Sequence, residues 1–173
     1  MPDVVLKAEH VTKRFGGITA LENAELELYK GEVHALVGAN GAGKSTLIKI
    51  ITGAYPKDEG EIYLDGKQIE VKSTFDAREK GISAVYQEFS LINTVSVAEN
   101  IFMGKLLYNN LGPIPRADWK KMHEETQKIL DSLGVINIKP ETIVGRLSVA
   151  QKQMVEIAKA LSMEARIIIM DEP

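Results

Sequence analysis

One short stretch constrains this chain more than any other. Residues 38–46 read Gly-Ala-Asn-Gly-Ala-Gly-Lys-Ser-Thr, which fits the phosphate-binding pattern G-x-x-x-x-G-K-[ST]. The apolar run at 33–37 is typical of a short buried strand, and residues 46–51 are typical of a helix that stops near Gly53. A strand, a glycine-rich loop and a helix in this order form the context in which the motif holds phosphate.

The residue types of the loop explain its chemistry. Gly38, Gly41 and Gly43 let the backbone turn tightly and bring N–H groups close to phosphate oxygens. The helix that starts near Gly43 adds the positive end of its dipole. Lys44 supplies a positive charge for the β- and γ-phosphates, and the hydroxyl of Ser45 suits Mg²⁺, which prefers oxygen ligands.

A second motif lies at the end of the sequence, where apolar residues at 167–170 are followed by Asp171 and Glu172. The apolar run predicts a buried strand that delivers two carboxylates at its C-terminal end. Next to a phosphate-binding loop, Asp171 is expected to hold Mg²⁺, directly or through water. Glu172 is expected to polarise the water that attacks the γ-phosphate. The alternative is an acidic strand end that faces solvent.

Other strands are predicted from alternating or continuous apolar residues. They lie at 4–11, 24–29, 61–65 and 82–86. We expect the first two to be half-buried antiparallel strands joined through a turn at 13–17. Asp65 and Gly66 signal a hairpin after the third.

Further helices are predicted from apolar spacing and capping residues. They cover 73–80, a segment that opens at Ser96, 116–133 and 148–163. Ser96 with Glu99, and Ser148 with Gln151, have the spacing of capping boxes. Residues 106–115 are predicted to form a loop, and we expect Trp119 and the methionines to lie in the core.

Three residues permit two interpretations each from sequence alone. Phe15 is either a core residue, which we favour, or a platform for a flat ligand ring. Gln87 is either a hydrogen-bonded core residue or a group presented at a site, because sites in parallel α/β sheets lie beyond the C-terminal ends of the strands. Ser148 is either a simple N-cap, which we favour, or part of a helix N-terminus offered to an anion.

Composition excludes several classes of function. The chain has 173 residues, a net charge of −3 and no cysteine, which argues against nucleic-acid binding through bulk charge and excludes disulfide or thiolate chemistry. We find no signal peptide and no apolar run long enough to span a membrane, and therefore expect a cytoplasmic setting. The histidines have no ligand spacing, so we assign them no metal role.

Together, Phe15, the loop at 38–46, and the segments 86–88, 147–151 and 167–173 resemble the ATP-binding subunit of an ABC transporter, in that family's order and spacing. The run LSVAQKQMVEIAKALS is similar to the N-terminal ATPase half of fused bacterial carbohydrate importers of the ribose and galactose type. The resemblance implies one α/β P-loop NTPase domain, truncated after the Walker B strand. Its antiparallel β subdomain would cover about 1–30 and 55–72, and its helical subdomain about 91–164.

The resemblance also implies roles for individual residues. Phe15 would stack on adenine, which reverses our preference for a core position. The phosphates would be held by Gly38, Ala39, Asn40, Gly41, Ala42, Gly43, Lys44, Ser45 and Thr46. Mg²⁺ and its waters would be served by Ser45, Gln87 and Asp171. Glu172 would be the catalytic base, with Lys44 and Gln87 as further catalytic residues. The γ-phosphate of ATP on an opposite cassette would be contacted by Ser148, Val149, Ala150 and Gln151.

The partners implied by the resemblance are a second ATP-binding cassette, permease subunits that contact residues 87–91 and, indirectly, a sugar-binding protein. Location at the cytoplasmic face of the membrane is also implied, and the acidic charge balance leads us to expect no nucleic-acid partner. One departure from the family pattern is that Val149 and Ala150 replace the glycines of the commonest signature, LSGGQ. Their N–H groups persist, although close approach to phosphate becomes harder.

A second departure is that the sequence stops before the family's D-loop, next strand and switch histidine. We therefore expect an incomplete cassette with unpaired strand edges, weak Mg·ATP binding and negligible hydrolysis. Two competing hypotheses are a non-transport ATPase that works on DNA or ribosomes, which the acidic balance disfavours, and a nucleotide-binding module without turnover.

Overall fold

A computed structural model describes residues 3–86, 89–109 and 116–171. The chain divides into two compact units, Met1–Ile82 and Ser83–Pro173, which are described separately below. The strands are β1 Val4–Phe15, β2 Ile18–Tyr29, β3 Glu59–Leu64, β4 Lys67–Ile69, β5 Ile82–Val85, β6 Tyr108–Asn109, β7 Arg116–Ala117 and β8 Ile167–Met170. The helices are α1 Lys44–Ile51, α2 Thr74–Glu79, α3 Val97–Ile101, α4 Trp119–Ser132 and α5 Val149–Ser162.

The first unit is built on an antiparallel sheet with the strand order β2-β1-β3-β4. The predicted pairing of the first two strands is confirmed, but the predicted turn at 13–17 is too long. β1 continues through Phe15, which pairs with Ile18. Only Gly16 and Gly17 form the turn, with φ of 53° and 88°, because two glycines supply both left-handed positions of a tight hairpin. The predicted hairpin at Asp65 and Gly66 is confirmed, with φ of 50° and 72°.

Two helices complete the first unit. The predicted helix after the glycine-rich loop is confirmed, and it starts at Lys44, directly after the expected start near Gly43. Its apolar side chains Leu47, Ile48, Ile50 and Ile51 are buried. The cap predicted for α2 is also confirmed, because the Ser73 hydroxyl accepts a hydrogen bond from the Asp76 N–H at 3.1 Å.

The segment 33–37 does not form the buried strand predicted for it. Val33 is 101% exposed and Val37 is 87% exposed, and no strand is assigned there. A strand requires a neighbour for its N–H and C=O groups, and no strand within the described residues pairs with this segment. The apolar pattern of 33–37 is typical of a strand, but the described part of the chain contains no neighbouring strand that pairs with it.

The core of the second unit is formed by α3, α4 and α5. The side chains that meet there include Val97, Ile101, Met122, Leu130, Val155 and Ala158. Two small two-stranded sheets are also formed, β5 with β8 and β6 with β7. Within the described ranges, no helix combines the length and apolar character needed to cross a membrane.

Several predictions for the second unit need correction. The loop predicted at 106–115 contains β6, and the predicted helix 116–133 begins only at Trp119, with Asp118 as its N-cap. Trp119 is 48% exposed rather than buried. A helical side chain covers the turn on the N-terminal side of its own Cα, and Trp119 opens the helix, so its side chain extends beyond the packed turns.

The methionines divide between core and surface. Met122 is fully buried, as predicted, whereas Met103 and Met170 are exposed. Met170 belongs to β8, which we predicted to be a buried strand. Only Ile167 of that strand is buried, so β8 is covered at its start and open at its end.

Candidate functional site

The glycine-rich loop lies on the surface and wraps around its own lysine. The Lys44 ammonium donates hydrogen bonds to the carbonyl oxygens of Gly38, at 2.7 Å, and Ala39, at 3.0 Å. The Ala42 N–H donates to the Ala39 carbonyl at 3.1 Å. The loop at 38–46 therefore holds the positive charge of Lys44 against its own backbone, in the loop where the sequence predicts phosphate binding.

Gly43 joins this loop to α1 in a conformation that suits glycine. Its φ is 87°, and a Cβ atom at this position would lie 2.7 Å from Leu21 Cδ1 and 2.9 Å from the Ala20 carbonyl oxygen. Both the left-handed backbone and the close contact with β2 thus require the absence of a side chain. This packing fixes the N-terminus of α1 against the antiparallel sheet.

The first turn of α1 keeps its N–H groups open. No side chain caps the helix at Gly43, and no described residue offers a backbone acceptor to the N–H groups of Lys44, Ser45 or Thr46. Ser45 is itself exposed. Free N–H groups at a helix N-terminus, next to a lysine, form a ready binding site for an anion such as phosphate.

Phe15 lies at the end of β1 and is 41% exposed, so our sequence-based preference for a core position is wrong. Its ring meets that of Tyr55 edge-to-face, with the centroids 5.2 Å apart and the planes at 70°. The Lys13 ammonium lies over the Phe15 ring, 5.3 Å from its centroid. An exposed, laterally supported aromatic ring is a suitable platform for a flat ligand.

In the second unit, Ser148 and Gln151 form the predicted capping box at the start of α5. The Ser148 hydroxyl accepts from the Gln151 N–H at 3.3 Å, and the Gln151 amide oxygen accepts from the Ser148 N–H at 3.0 Å. Val149 is 69% exposed, and Ala150 is also exposed. No described residue provides a backbone acceptor for the N–H groups of Val149 and Ala150.

Asp171 follows β8, and its N–H donates to the Val85 carbonyl on β5 at 3.0 Å. The structure therefore confirms that a strand end delivers this carboxylate. Gln87, Glu88 and Glu172 lie outside the described residues, and their predicted roles stay predictions. Asp171 belongs to the second unit, whereas the loop at 38–46 belongs to the first. No cluster of three or more His, Cys, Asp or Glu suited to a metal occurs within the described ranges.

Sequence reasoning missed a polar cluster beside the segment that follows Gln87. Glu156 accepts hydrogen bonds from the N–H and the hydroxyl of Ser90, and the Lys159 ammonium donates to the same hydroxyl at 3.0 Å. Glu156 and Lys159 are both buried. The sequence did contain a signal for this cluster, because Glu156 follows Val155 on the apolar face of α5. A carboxylate buried at such a position is normally paired with another polar group.

Comparison with known protein families extends these observations. The sequence model described as "ABC transporter" matches residues 21–173. The chain is 47% identical, over 169 residues, to the ribose import ATP-binding protein RbsA of Caldanaerobacter subterraneus, an alignment that covers 98% of this chain and 33% of the relative. It is 43% identical, over 175 residues, to the xylose import ATP-binding protein XylG of Geobacillus kaustophilus, covering 100% of this chain and 34% of the relative. The chain thus spans about a third of the length of these relatives.

Solved structures agree with the sequence comparison. A nucleotide-free ATP-binding cassette from an ABC transporter aligns with a TM-score of 0.82 and 32% identity, over 98% of this chain and 69% of that one. The ADP conformation of an ATP-binding cassette aligns with a TM-score of 0.81 and 32% identity, over the same shares, 98% and 69%. These likenesses confirm the fold class that the sequence resemblance implied.

Proposed function

The chain belongs to the ABC transporter family, and from this membership we propose that it binds Mg·ATP and contributes an ATPase site to a bacterial sugar importer. The sugar-import names of its relatives support the transport part of the proposal. The proposed cassette is a single ATP-binding domain with an antiparallel β subdomain and a helical subdomain. It would act at the cytoplasmic face of the membrane, and the whole protein's substrate is a sugar.

The observation that carries the proposal is the exposed loop at 38–46, with Lys44 folded onto its carbonyls and the N-terminus of α1 left uncapped. A triphosphate offers the anionic oxygens that these N–H groups and the ammonium can bind. When phosphate enters, Lys44 can exchange the carbonyls of Gly38 and Ala39 for charged phosphate oxygens. We assign the adenine to Phe15 because its ring is exposed at the end of β1.

The residues that would hold magnesium fit that ion in chemistry. The Ser45 hydroxyl is exposed at the N-terminus of α1, and Asp171 and Gln87 would supply further oxygens. Hydroxyl, carboxylate and amide oxygens are the ligands that magnesium accepts. The chemistry that a bound magnesium ion supplies is neutralisation of charge on the β- and γ-phosphates.

The remaining roles follow the family pattern on matching residues. Glu172 would accept a proton from the attacking water. The segment 148–151 would present the open N–H groups of Val149 and Ala150 to the γ-phosphate of ATP held by a second cassette, supplied by the longer chain or by another copy. Residues 87–91 would contact the permease subunits, and a sugar-binding protein would act through those subunits.

The proposal is tested by calorimetric titration of Mg·ATP into the chain and into Lys44→Ala. Removal of a charge-assisted hydrogen-bond donor is expected to weaken binding by about tenfold or more. Lys120→Ala is the matched control, because this lysine lies on α4 with its side chain 88% exposed, and it should leave binding unchanged. Absence of Mg·ATP binding by the unmodified chain, or equal binding by Lys44→Ala, would overturn the proposal.

A further inference from the structure

The Phe15 ring is fixed in place by a short segment that no sequence motif includes. Beyond its edge-to-face contact with Tyr55, the end of β1 is bound to Asp58. The Lys13 ammonium donates to Asp58 Oδ1 at 2.8 Å, and the Arg14 N–H donates to Asp58 Oδ2 at 2.7 Å. The Asp58 N–H in turn donates to the Thr12 carbonyl at 3.0 Å. The end of β1, directly before Phe15, is therefore hydrogen-bonded to Asp58 of the segment 55–58.

The same segment is attached to α1 at its other end. The Tyr55 N–H donates to the Lys49 carbonyl at 3.0 Å, and the Lys49 ammonium lies 5.2 Å from the centroid of the Tyr55 ring. Lys49 is in the last turn of the helix whose N-terminus forms the phosphate site. Residues 55–58 thus connect the aromatic platform to the helix that carries Lys44.

We propose that Tyr55 is a positioning residue for nucleotide binding, which orients the Phe15 ring and holds it at a fixed distance from the phosphate-binding loop. This inference rests on the proposed function, because it assigns the base of a bound nucleotide to Phe15. Tyr55 acts through Phe15 and α1, and needs no contact with the nucleotide itself.

The physical argument is one of preorganisation. Phe15 stands at a strand end next to a glycine turn and keeps 41% of its surface exposed, so an isolated ring there would sample several rotamers. Contact with Tyr55 and with the Lys13 ammonium selects one orientation before the ligand arrives. A ligand that meets an ordered ring does not bear the entropy cost of ordering it.

The charge on Asp58 supports this arrangement. Its hydrogen bond from Lys13, followed by that from the Arg14 N–H, holds the pKa of the Asp58 carboxyl below its ordinary value. Asp58 is therefore ionised at neutral pH, and Lys13 stays bound to it over the Phe15 ring.

The experiment compares two ligands that share phosphates but differ in the base. Dissociation constants for Mg·ATP and Mg·tripolyphosphate are measured on the full 173-residue chain and on Tyr55→Leu. Because aromatic pairs contribute about two- to tenfold in equilibrium constants, Tyr55→Leu is expected to weaken Mg·ATP binding by that factor. Binding of Mg·tripolyphosphate should be unchanged, since neither Tyr55 nor Phe15 is among the residues proposed to hold phosphate or magnesium.

Three further variants separate positioning from general structure. Tyr55→Phe keeps the ring and should restore the Mg·ATP affinity to within about twofold of the unmodified chain. Tyr63→Leu changes a tyrosine of β3 with no ring contact to Phe15 and should alter neither ligand. In the background of Phe15→Leu, Tyr55→Leu should have no further effect on the ratio of the two affinities.

The outcomes are distinguishable from those of the proposed function. If the unmodified chain binds neither ligand, the proposed function fails. Where the unmodified chain binds both ligands, two results overturn the positioning role. In one, Tyr55→Leu leaves the ratio of the two affinities unchanged. In the other, Tyr55→Leu lowers this ratio equally with and without Phe15. If Tyr55→Leu loses tripolyphosphate binding as well, Asp58→Asn, which weakens the hold on Lys13 at nearly constant side-chain size, provides the same comparison of ligands.

Discussion

The starts of α3 and α5 carry the same local motif in two different environments. At α3, the Ser96 hydroxyl accepts from the Glu99 N–H at 3.2 Å and the Glu99 carboxylate accepts from the Ser96 N–H at 2.7 Å. At α5, Ser148 and Gln151 make the equivalent pair of hydrogen bonds. Both are complete capping boxes, so the local chemistry of the two helix starts is nearly identical.

The surroundings of the two boxes differ in burial and in the use of the next N–H groups. Ser96 is 7% exposed, and Val97 and Ala98 are fully buried. The N–H groups of Val97 and Ala98 donate to the carbonyls of Thr142, at 2.9 Å, and Pro140, at 3.0 Å. At α5 the corresponding residues are exposed, and no described backbone carbonyl accepts from them.

The comparison teaches that a capping box alone does not decide between packing and binding. The box at α3 is closed by the chain itself, and the residue at its N3 position, Glu99, is an acid that would repel a phosphate. The box at α5 leaves two consecutive N–H groups open beside a neutral amide, Gln151. These differences support the role proposed for 148–151, in which Val149 and Ala150 keep the N–H groups that the common signature supplies from glycine.

The largest effect is expected for Ser96→Ala. The change removes a helix cap and leaves the Glu99 carboxylate short of a hydroxyl donor in a largely buried site, and the two losses together should lower the free energy of unfolding by about 2 kcal/mol. Urea unfolding followed by tryptophan fluorescence measures it, because Trp119 is the only tryptophan in the sequence and lies in the same unit as α3. A loss below about 0.5 kcal/mol, the lower end for helix caps, would contradict the closed character of this box.

A smaller effect is expected for Ser148→Ala. The same cap is lost, but water can reach the exposed Gln151 N–H, so the free energy of unfolding should fall by about 0.5 to 1 kcal/mol. The same tryptophan signal reports it. Equal losses for Ser96→Ala and Ser148→Ala would show that burial does not separate the two boxes, and a larger loss for Ser148→Ala would reverse the comparison.

Sequence reasoning predicted the features that local chemistry decides. Both capping boxes, the cap of α2 at Ser73 and the hairpin at Asp65 and Gly66 depend on residues a few positions apart, and all were correct. The conformation of the loop at 38–46 is also local, because Lys44 hydrogen-bonds to Gly38 and Ala39 a few positions before it, while its binding of phosphate stays a prediction. The placement of Asp171 at a strand end was also correct, because the apolar run before it fixes where the strand stops.

The features that the sequence did not reveal depend on distant neighbours. The segment 33–37 has the composition of a buried strand, but strand formation also requires a partner that the apolar pattern cannot identify. The residue type of Phe15 alone favours the core, because aromatic residues usually lie there, and only the family resemblance reverses that preference; its position beside a glycine turn leaves it exposed. Tyr55 and Glu156 act through contacts with Phe15 and Ser90, and no spacing along the sequence links either pair.

The smallest effect separates the two boxes by charge, since Glu99 titrates and Gln151 does not. Hydrogen bonds from the hydroxyl and then the N–H of Ser96 hold the pKa of the Glu99 carboxyl below its ordinary value. A depressed carboxyl pKa contributes stability that is complete above the unfolded pKa, about 4.3, and is lost as the pH falls through the lower folded pKa. Glu99→Gln keeps the box but removes this dependence.

At pH 7 the unmodified chain is therefore expected to exceed Glu99→Gln in stability by about 0.5 kcal/mol, the typical contribution of a carboxylate near a helix N-terminus. The advantage should shrink as the pH is lowered below about 4 and disappear once Glu99 is protonated. Paired urea titrations at several pH values measure the difference, and Glu124→Gln on the exposed side of α4, where the side chain is 57% exposed, is the control for general acid effects. A difference that stays constant across this pH range would mean that Glu99 acts at α3 as a neutral cap, in the same way as Gln151 at α5, and the charge distinction between the two boxes would be lost.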